Sequence, residues 1–485
     1  VMDEHLKYYL ENTAVTKSAM ESRLTHPITK LRYPTRLVYE QLQSYVRNFF
    51  ESGSEPRLVS LAGLRGVGKT TLLWQVAQYT HQKHHKNMYF FNVNTLKNLG
   101  VDLHIALEEF QRHIIKKRFN ELTEPIALFF DEVHDDQNWS RTLKILYDEA
   151  RTAFILCTGS SALLIHQTAD LSRRMRIEKI YPYKFTEFVA AKTYLENSGA
   201  LLHPKKGLSN DLKEALFYSS TSFEAMSQLK ALAHDVQAYL QRIDSTAGLP
   251  YKDLWQGYIN YQNIPSFIFY RDNNIINESI LDLFKRVILD DIPKFKPSIE
   301  DFTQIERLIL RLAGSDEINP EKLAGIVGIK QGSISMLIDW LAKAELLNIL
   351  LPFGGLDTKI AKNKKAFFMS PSLRSALLST LYGTHLPAHF KGKLLEDLMV
   401  MYLKWILADG MVSFLSRKDQ VNPDFVVETR DQPILLEMGS GKTSLRQLIQ
   451  SNVPYRYGLL VSSGVKEPSM KQDCIQIPWS WFSLL

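Results

Sequence analysis

The stretch "LAGLRGVGKTTLL", residues 61–73, constrains this chain more than any other. An apolar run from Arg57 to Leu61 leads into it, and a helix-periodic run through Leu72, Leu73, Val76 and Ala77 leads out. Between them the spacing is Gly63-x4-Gly68-Lys69-Thr70, with a third glycine at Gly66. This is the pattern of a phosphate-binding P-loop set between a strand and a helix. Glycines let the backbone turn several N–H groups toward one phosphate, and the following helix adds its positive dipole end. The loop is expected to hold ATP through Gly63, Leu64, Arg65, Gly66, Val67, Gly68, Lys69, Thr70 and Thr71. Lys69 would reach the β- and γ-phosphates, and the Thr70 hydroxyl would face Mg²⁺.

Such a loop needs an acidic partner, and "IALFFDE", residues 126–132, supplies one. An apolar strand-like run delivers Asp131 to a strand end, where it can share the Mg²⁺ with Thr70. Glu132 is then the expected catalytic base that polarises the attacking water. "ILCTGSS" repeats the form and delivers Thr158 and Ser160 to the same edge. Ser160 there can sense the γ-phosphate, although a plain strand-end turn accounts for it as well.

Around this site, strand-like runs "RLVSL", "MYFFNVN", "IALFFDE", "AFILCTG" and "EKIYPY" alternate with helix-like ones such as "DLHIALEEFQRHIIKKRF" and "WSRTLKILYDEA". That alternation, with near-continuous apolar strands, implies an α/β fold with a parallel sheet covered on both faces. Residues 1–30 are polar and weakly patterned, as in an arm or a short helix. Residues 190–300 are helix-rich and without further strand patterns. At 485 residues the chain should hold three or four domains. The formal charge of +6 permits nucleic-acid binding without arguing for it. Only two cysteines occur, and no apolar run approaches the length of a membrane span, so a reduced, cytoplasmic protein without membrane contact is expected. The histidines of "HQKHHK" lack a carboxylate or cysteine at ligand spacing and read as a solvated helix end.

The segments "GLRGVGKTTLL", "LFFDEVHDDQNWSRTLKILYD", "ILCTGSSALLI" and "RMRIEKIYPYKFTEF" resemble the archaeal-type AAA-related ATPases, which also occur in bacteria. The resemblance extends over nearly the whole chain. It implies a RecA-like P-loop ATPase core at 31–190 behind an N-terminal arm at 1–30. A helical lid at 191–298, a winged helix at 299–380 and a nuclease-like domain at 381–485 would follow. It makes Arg173 or Arg174 the arginine finger, acting across a subunit interface in a homo-oligomer; a basic surface turn is the competing reading. Where the family carries paired glycines before a proline, this chain has Gln262 and Asn263.

"INPEKLAGIVGIKQGSISMLIDWLAKAELL" has the form of a helix-turn-helix, with Pro320 at a helix start and Gly328 at the turn. "NILLPFGGLDTKIAKNKKAFFMS" then reads as a two-stranded wing, with Lys359, Lys362, Lys364 and Lys365 set to contact DNA phosphates. Winged helices also serve as protein-packing modules. Residues 390–485 resemble the PD-(D/E)xK nuclease fold. That resemblance implies a metal site of Glu396 on a helix, Asp424 at a strand start and Glu437 at the end of "PILLE". The expected lysine position is Gly439, and Lys442 beyond "GSG" could fold back into its role. Two functions follow as expectations: an ATPase acting on nucleic acid, in phage defence, mobile-element biology or DNA processing, or a nucleotide-driven signalling switch with protein partners.

Overall fold

The computed structural model describes residues 4–84, 87–159, 171, 173–196, 201–246, 250–291, 302–315, 317–361, 363–383, 386–415 and 422–485. The chain divides into two units, Val1–Ile180 with Lys343–Glu345, and Tyr181–Ala342 with Leu346–Leu485.

The first unit is built on a parallel sheet of β1 (Leu58–Ala62), β2 (Met88–Asn92), β3 (Ile126–Asp131), β4 (Ala153–Gly159) and β5 (Arg176–Lys179). Their spatial order is β2-β3-β4-β1-β5, and every pairing is parallel. This is a RecA-like P-loop fold, with β4 inserted between the P-loop strand and the strand of Asp131. The three central strands are buried along their whole length. A strand packed on both faces cannot alternate apolar with polar, which is why their sequences run continuously apolar. The helices α3 (Tyr39–Ser52), α4 (Lys69–Lys83) and the helix Trp139–Glu149 each bury an apolar stripe.

Two details depart from the sequence reading. The weakly patterned N-terminus folds into α1 (Glu4–Glu11) and α2 (Lys17–Leu24), and Leu6 and Leu10 of α1 enter the core with Phe91, Phe110 and Phe130. Between the two helices, Val15 N–H donates to Met88 O at 2.9 Å and Phe90 N–H donates to Thr13 O at 2.7 Å. The N-terminal segment therefore pairs with β2, the outer strand of the sheet on that side. The helix expected from Asp102 to Phe119 stops early: it is helical over Leu103–Phe110, passes through a wider π turn at Gln111–Ile115, and ends at Lys116 with φ 54°.

The second unit begins with helices, among them Phe185–Glu196 and the 25-residue Ser222–Thr246. Gln262 and Asn263 do not need glycine freedom, since Asn263 sits at φ −66°. Their side chains instead hold the loop: Asn263 Nδ2 donates to Tyr183 O at 2.9 Å, and Gln262 Nε2 to Tyr270 O at 2.9 Å. Next come helices Phe302–Ala313, Pro320–Val327 and Gln331–Lys343. Pro320 opens the second, Asn319 caps it through Lys322 N–H at 3.0 Å, and Gly328 closes it at φ 80°. An antiparallel sheet of β6 (Glu317–Ile318), β7 (Leu347–Leu350) and β8 (Lys364–Phe368), ordered β6-β8-β7, is interleaved with them in the chain. The two strands expected of the wing are β7 and β8, which pair antiparallel, and a short helix, Leu356–Ala361, lies between them.

The chain then runs through helices Pro371–Tyr382 and Ala388–Ile406 into a second sheet. Its strands are β9 (Val412–Ser413), β10 (Phe425–Val427), β11 (Ile434–Gly439), β12 (Tyr457–Ser462), β13 (Ser469–Lys471) and β14 (Cys474–Ile477), in the order β13-β14-β12-β11-β10-β9. β9, β10 and β11 form an antiparallel meander, and β12 joins β11 in parallel. Both cysteines are free and buried. Among the described residues no helix is long and apolar enough to cross a membrane.

One buried ion pair joins these parts. Arg374 and Asp397 are fully buried; Nε donates to Oδ2 at 2.6 Å and Nη2 to Oδ1 at 2.8 Å. Arg374 Nη1 also donates to Ala313 O at 2.8 Å and Leu312 O at 3.2 Å, carbonyls at a helix end, the second of which also accepts Ser315 N–H at 3.2 Å. Asp397 accepts Phe368 N–H at 2.8 Å. Burial pushes the Asp397 carboxyl up to about 6 against the pull of Arg374. Replacing Asp397 with Ala would leave a buried guanidinium unpaired and should cost about 3–5 kcal/mol of stability. An apolar pair, Arg374→Met with Asp397→Leu, should cost far less. Urea unfolding of both variants checks this, and equal losses would contradict it.

Candidate nucleotide site and a second acidic site

The P-loop is bent where the sequence places glycine. Gly68 caps α4 at φ 90°, a conformation that strains any side chain. Gly63 is demanded by packing: a Cβ there would lie 2.3 Å from Ile180 O, because the chain leaving β5 continues to pair with β1 through Ile180 N–H to Ala62 O at 2.7 Å. Lys69 is buried and turns its ammonium back onto Gly63 O at 2.9 Å and Leu64 O at 3.2 Å. Two carbonyls hold a cation weakly compared with a phosphate, so this ammonium is poised to exchange them for an anion in the same loop.

Opposite the loop, Thr70 Oγ1 donates to Asp131 at 2.9 and 3.1 Å from its two carboxylate oxygens. A hydroxyl and a carboxylate, both hard oxygen donors at the mouth of the P-loop, fit an octahedral Mg²⁺. When bound, that ion would neutralise phosphate charge, and Thr70 and Asp131 would hold it. Thr158 at the end of β4 joins the two acids: its Oγ1 donates to Asp131 Oδ1 at 2.5 Å and accepts Glu132 N–H at 2.9 Å.

Glu132 has the left-handed backbone φ 56°, uncommon for a non-glycine residue. Its Oε2 lies 3.3 Å from Nε2 of the buried His134. Burial raises the Glu132 carboxyl above the ordinary range, Lys69 draws it down, and Asp131 pushes it up. A half-buried carboxylate near Lys69, oriented by an imidazole, suits a base that polarises water. His134 and Arg36 were not legible as site residues. Arg36 is buried, and its Nη1 donates to Val67 O at 2.7 Å, which braces the loop from behind. Neither lies at a motif position, and only the fold brings them here.

Of the two finger arginines, Arg174 is engaged within its own unit, with Nε 3.1 Å from Asp148 Oδ1. Arg173 is exposed. Ser160 and Lys362 lie outside the described residues.

The second acidic site is in the other unit. Asp424 and Glu437 face each other across β10 and β11: Asp424 N–H donates to Glu437 Oε2 at 3.2 Å, and Met438 N–H donates to Asp424 Oδ2 at 2.9 Å. Lys442 folds back past the "GSG" turn, with Gly441 at φ 76°, and its ammonium contacts Glu437 Oε1 and Gln447 Oε1. Burial, then the neighbouring Glu437, lifts the Asp424 carboxyl to about 7. The expected third acid is not gathered with them. Glu396 is held by Lys393 one turn earlier, at 3.0 Å, and among the described residues no three His, Cys, Asp or Glu side chains converge as a metal site. In the β7–β8 segment Lys364 is exposed and Lys359 half-buried, whereas Lys365 places its ammonium 5.2 Å from the Phe414 ring centroid.

Gly63→Ala should weaken binding of a fluorescent ATP analogue by about ten-fold or more, equivalent to at least about 1.4 kcal/mol. Lys69→Ala should abolish it. Glu132→Gln should retain binding yet lower ATP turnover by roughly 100-fold or more, the scale of a lost general base. Turnover by Glu132→Gln at the wild-type rate would remove Glu132 from the chemistry.

Comparison with known proteins finds an AAA-type domain around the P-loop. A sequence model described as an AAA domain matches residues 55–189, and one described as a domain of unknown function matches residues 266–381. An uncharacterized protein of Methanocaldococcus jannaschii is 28% identical over 463 residues, covering 94% of this chain and 89% of that protein. A second from the same organism is 33% identical over 142 residues, 27% of this chain and 28% of that one. Among solved structures, the Thermotoga maritima RuvB Holliday junction branch migration motor aligns at 16% identity and a TM-score of 0.27, over 65% of this chain and 92% of that one. The Aeropyrum pernix ORC1 protein in complex with DNA aligns at 10% identity and 0.30, over 77% and 98%. The chain thus carries an AAA-type P-loop domain at residues 55–189.

Proposed function

We propose that this protein is a Mg²⁺-dependent ATPase of AAA-related type that acts on, or is regulated by, nucleic acid. The observation that carries the ATPase reading is the linked set Thr70, Asp131, Thr158 and Glu132 at the mouth of the P-loop, 2.5–3.1 Å from one to the next. Lys69 binds and orients the phosphates, Thr70 and Asp131 hold the metal, and Glu132 takes the proton of the attacking water. Arg173 is the finger in this reading, offered to a neighbouring subunit of a homo-oligomer, because Arg174 is already paired with Asp148.

The chain is organised in this proposal as an N-terminal arm at 1–30, an ATPase core at 31–190, a helical lid at 191–298, a winged helix at 299–380 and a nuclease-like domain at 381–485. Three helices with β6 between the first two, and β7 and β8 after the third, completing a β6-β8-β7 antiparallel sheet, support the winged helix. The meander of β9, β10 and β11, followed by a parallel β12, supports the nuclease-like fold, as does the acid pair with its returning lysine. Cleavage is not part of the proposal, because Glu396 is committed to Lys393. The nucleic-acid contacts of the wing are assigned to Lys359, Lys362 and Lys364.

One observation favours the alternative, a nucleotide-driven assembly switch with protein partners. The start of the wing is itself docked on protein: Phe353 N–H donates to Phe414 O at 2.8 Å, and Lys365 lies over the Phe414 ring. Its tip helix also exposes Leu356 and Ile360, one turn apart.

ATP hydrolysis measured alone and with duplex DNA, single-stranded DNA and RNA separates the two readings. Stimulation by a nucleic acid, lost in Lys359→Gln/Lys364→Gln, is the expected outcome. An unchanged rate with all three would favour the switch.

A further inference from the structure

The second unit contains a solvent-open cavity of about 1000 Å³ between the segment 251–277, the helices Pro371–Tyr382 and Ala388–Ile406, and the strand ends of the C-terminal sheet. Neither the P-loop nor the wing uses it. Its wall carries aromatic faces: Tyr251 and Trp255 stack at 5.9 Å with 15° between planes, Trp479 backs Trp255 at 5.9 Å, and Tyr261 lies further along. Tyr251, Trp255 and Tyr261 are half-buried and line the cavity. Around them stand three exposed lysines, Lys252, Lys391 and Lys466, against one carboxylate, Asp253. None of the three lysines makes an ion pair among the described residues. The wall also holds Asn277, whose buried Oδ1 has no hydrogen-bond partner among them.

We infer that this groove binds single-stranded nucleic acid, by stacking bases on Trp255 and Tyr261 and holding phosphates with Lys252, Lys391 and Lys466. This rests on the proposed nucleic-acid role and deepens it by naming a second binding surface and the form of the strand. Aromatic faces ringed by cations are the arrangement by which proteins hold unpaired strands, since every base has a π-face and every linkage a charge. A duplex buries its base faces and could use only the lysines. The cavity lies at the top of the range that holds one small ligand, roughly 300–1,000 Å³, and so suits a short run of nucleotides. The unpartnered Asn277 acceptor offers a hydrogen bond to a base amine. One end of the groove leads to the acidic pair: Ser440 lines it three residues after Glu437, and Trp479 Nε1 donates to Gly439 O at 3.2 Å.

The test is binding of fluorescein-labelled twelve-nucleotide DNA and RNA single strands, and of the matching duplex, to the full-length protein by anisotropy. Lys391→Gln/Lys466→Gln alters exposed side chains and should leave folding and basal ATP hydrolysis unchanged. It should weaken single-strand binding about ten-fold or more. The slope of log affinity against log salt should also fall by about 0.7 for each phosphate that is no longer neutralised. Duplex affinity should fall by less, since a duplex does not use the aromatic faces. Unlabelled strands should quench tryptophan emission in the wild type, and Trp255→Tyr should bind equally well with the quench reduced. Comparison of DNA with RNA shows which strand the groove takes. Single-strand binding that is undiminished in the lysine variant overturns the groove while the nucleic-acid reading stands. No binding of any strand or duplex overturns both.

Discussion

The nucleotide unit depends on a single hydroxyl placed by sheet order. Because β4 lies between β1 and β3, its last residues emerge between the P-loop and the acidic pair. Thr158 uses that position twice, donating to Asp131 and accepting the Glu132 amide. The acceptor role fixes where Glu132 turns away from the strand into its left-handed conformation. The donor role orients the carboxylate that meets Thr70. A parallel sheet makes this possible, since all five strands deliver their carboxyl ends to one edge, and residues distant in sequence become neighbours there. Moving β4 elsewhere in the order would leave each of these groups intact and separate them.

The second unit is fixed by charge rather than by strand order. Arg374 could have been a surface residue, yet it is fully buried and ties the end of helix Phe302–Ala313 to Asp397. Asp397 in turn holds the Phe368 amide at the end of β8. Apolar packing alone would tolerate sliding of these helices by a fraction of a turn. A bidentate guanidinium that also holds two carbonyls tolerates only one register, so the pair contributes specificity more clearly than net stability. The paired residues Gln262 and Asn263 follow the same logic. Glycines would give that loop freedom, whereas amide side chains hold it by hydrogen bonds to Tyr183 and Tyr270.

The nucleotide fold was legible because burial on both faces writes itself into sequence as unbroken apolar runs, as in "AFILCTG", which became β4 residue for residue. Chemistry at strand ends was legible for the same reason: Asp131 follows such a run. Edge elements were harder to read. β5 was expected at "EKIYPY" but lies at Arg176–Lys179, two residues earlier, because an edge strand needs less apolar pattern and the apolar residues after it pack beyond the strand. Helix α1 was illegible as a core element, since two leucines in eight residues are too few to define a period. Buried ions such as Arg374 and Lys69 look like surface charges in sequence. Only Lys69 carries a motif that reveals it.

The same distinction explains why the C-terminal acids could be read only in part. Asp424 immediately precedes β10 and Glu437 lies on β11, and the register of the two strands brings them together, Phe425 opposite Leu436. A strand pair is local, and its geometry follows from alternation. Glu396 is on a helix, and a helix can rotate its side chains toward or away from a sheet without any change in its apolar spacing. Here Lys393, one turn away, offers a nearer partner and takes the carboxylate. Lys442 shows the converse. Its motif position is occupied by Gly439, where a Cβ would meet the Lys442 side chain at 2.9 Å, so the absent side chain makes room for the lysine that returns. Loss of the residue at one position and return of the charge from another are a single packing event. A motif search at fixed spacing sees only the loss.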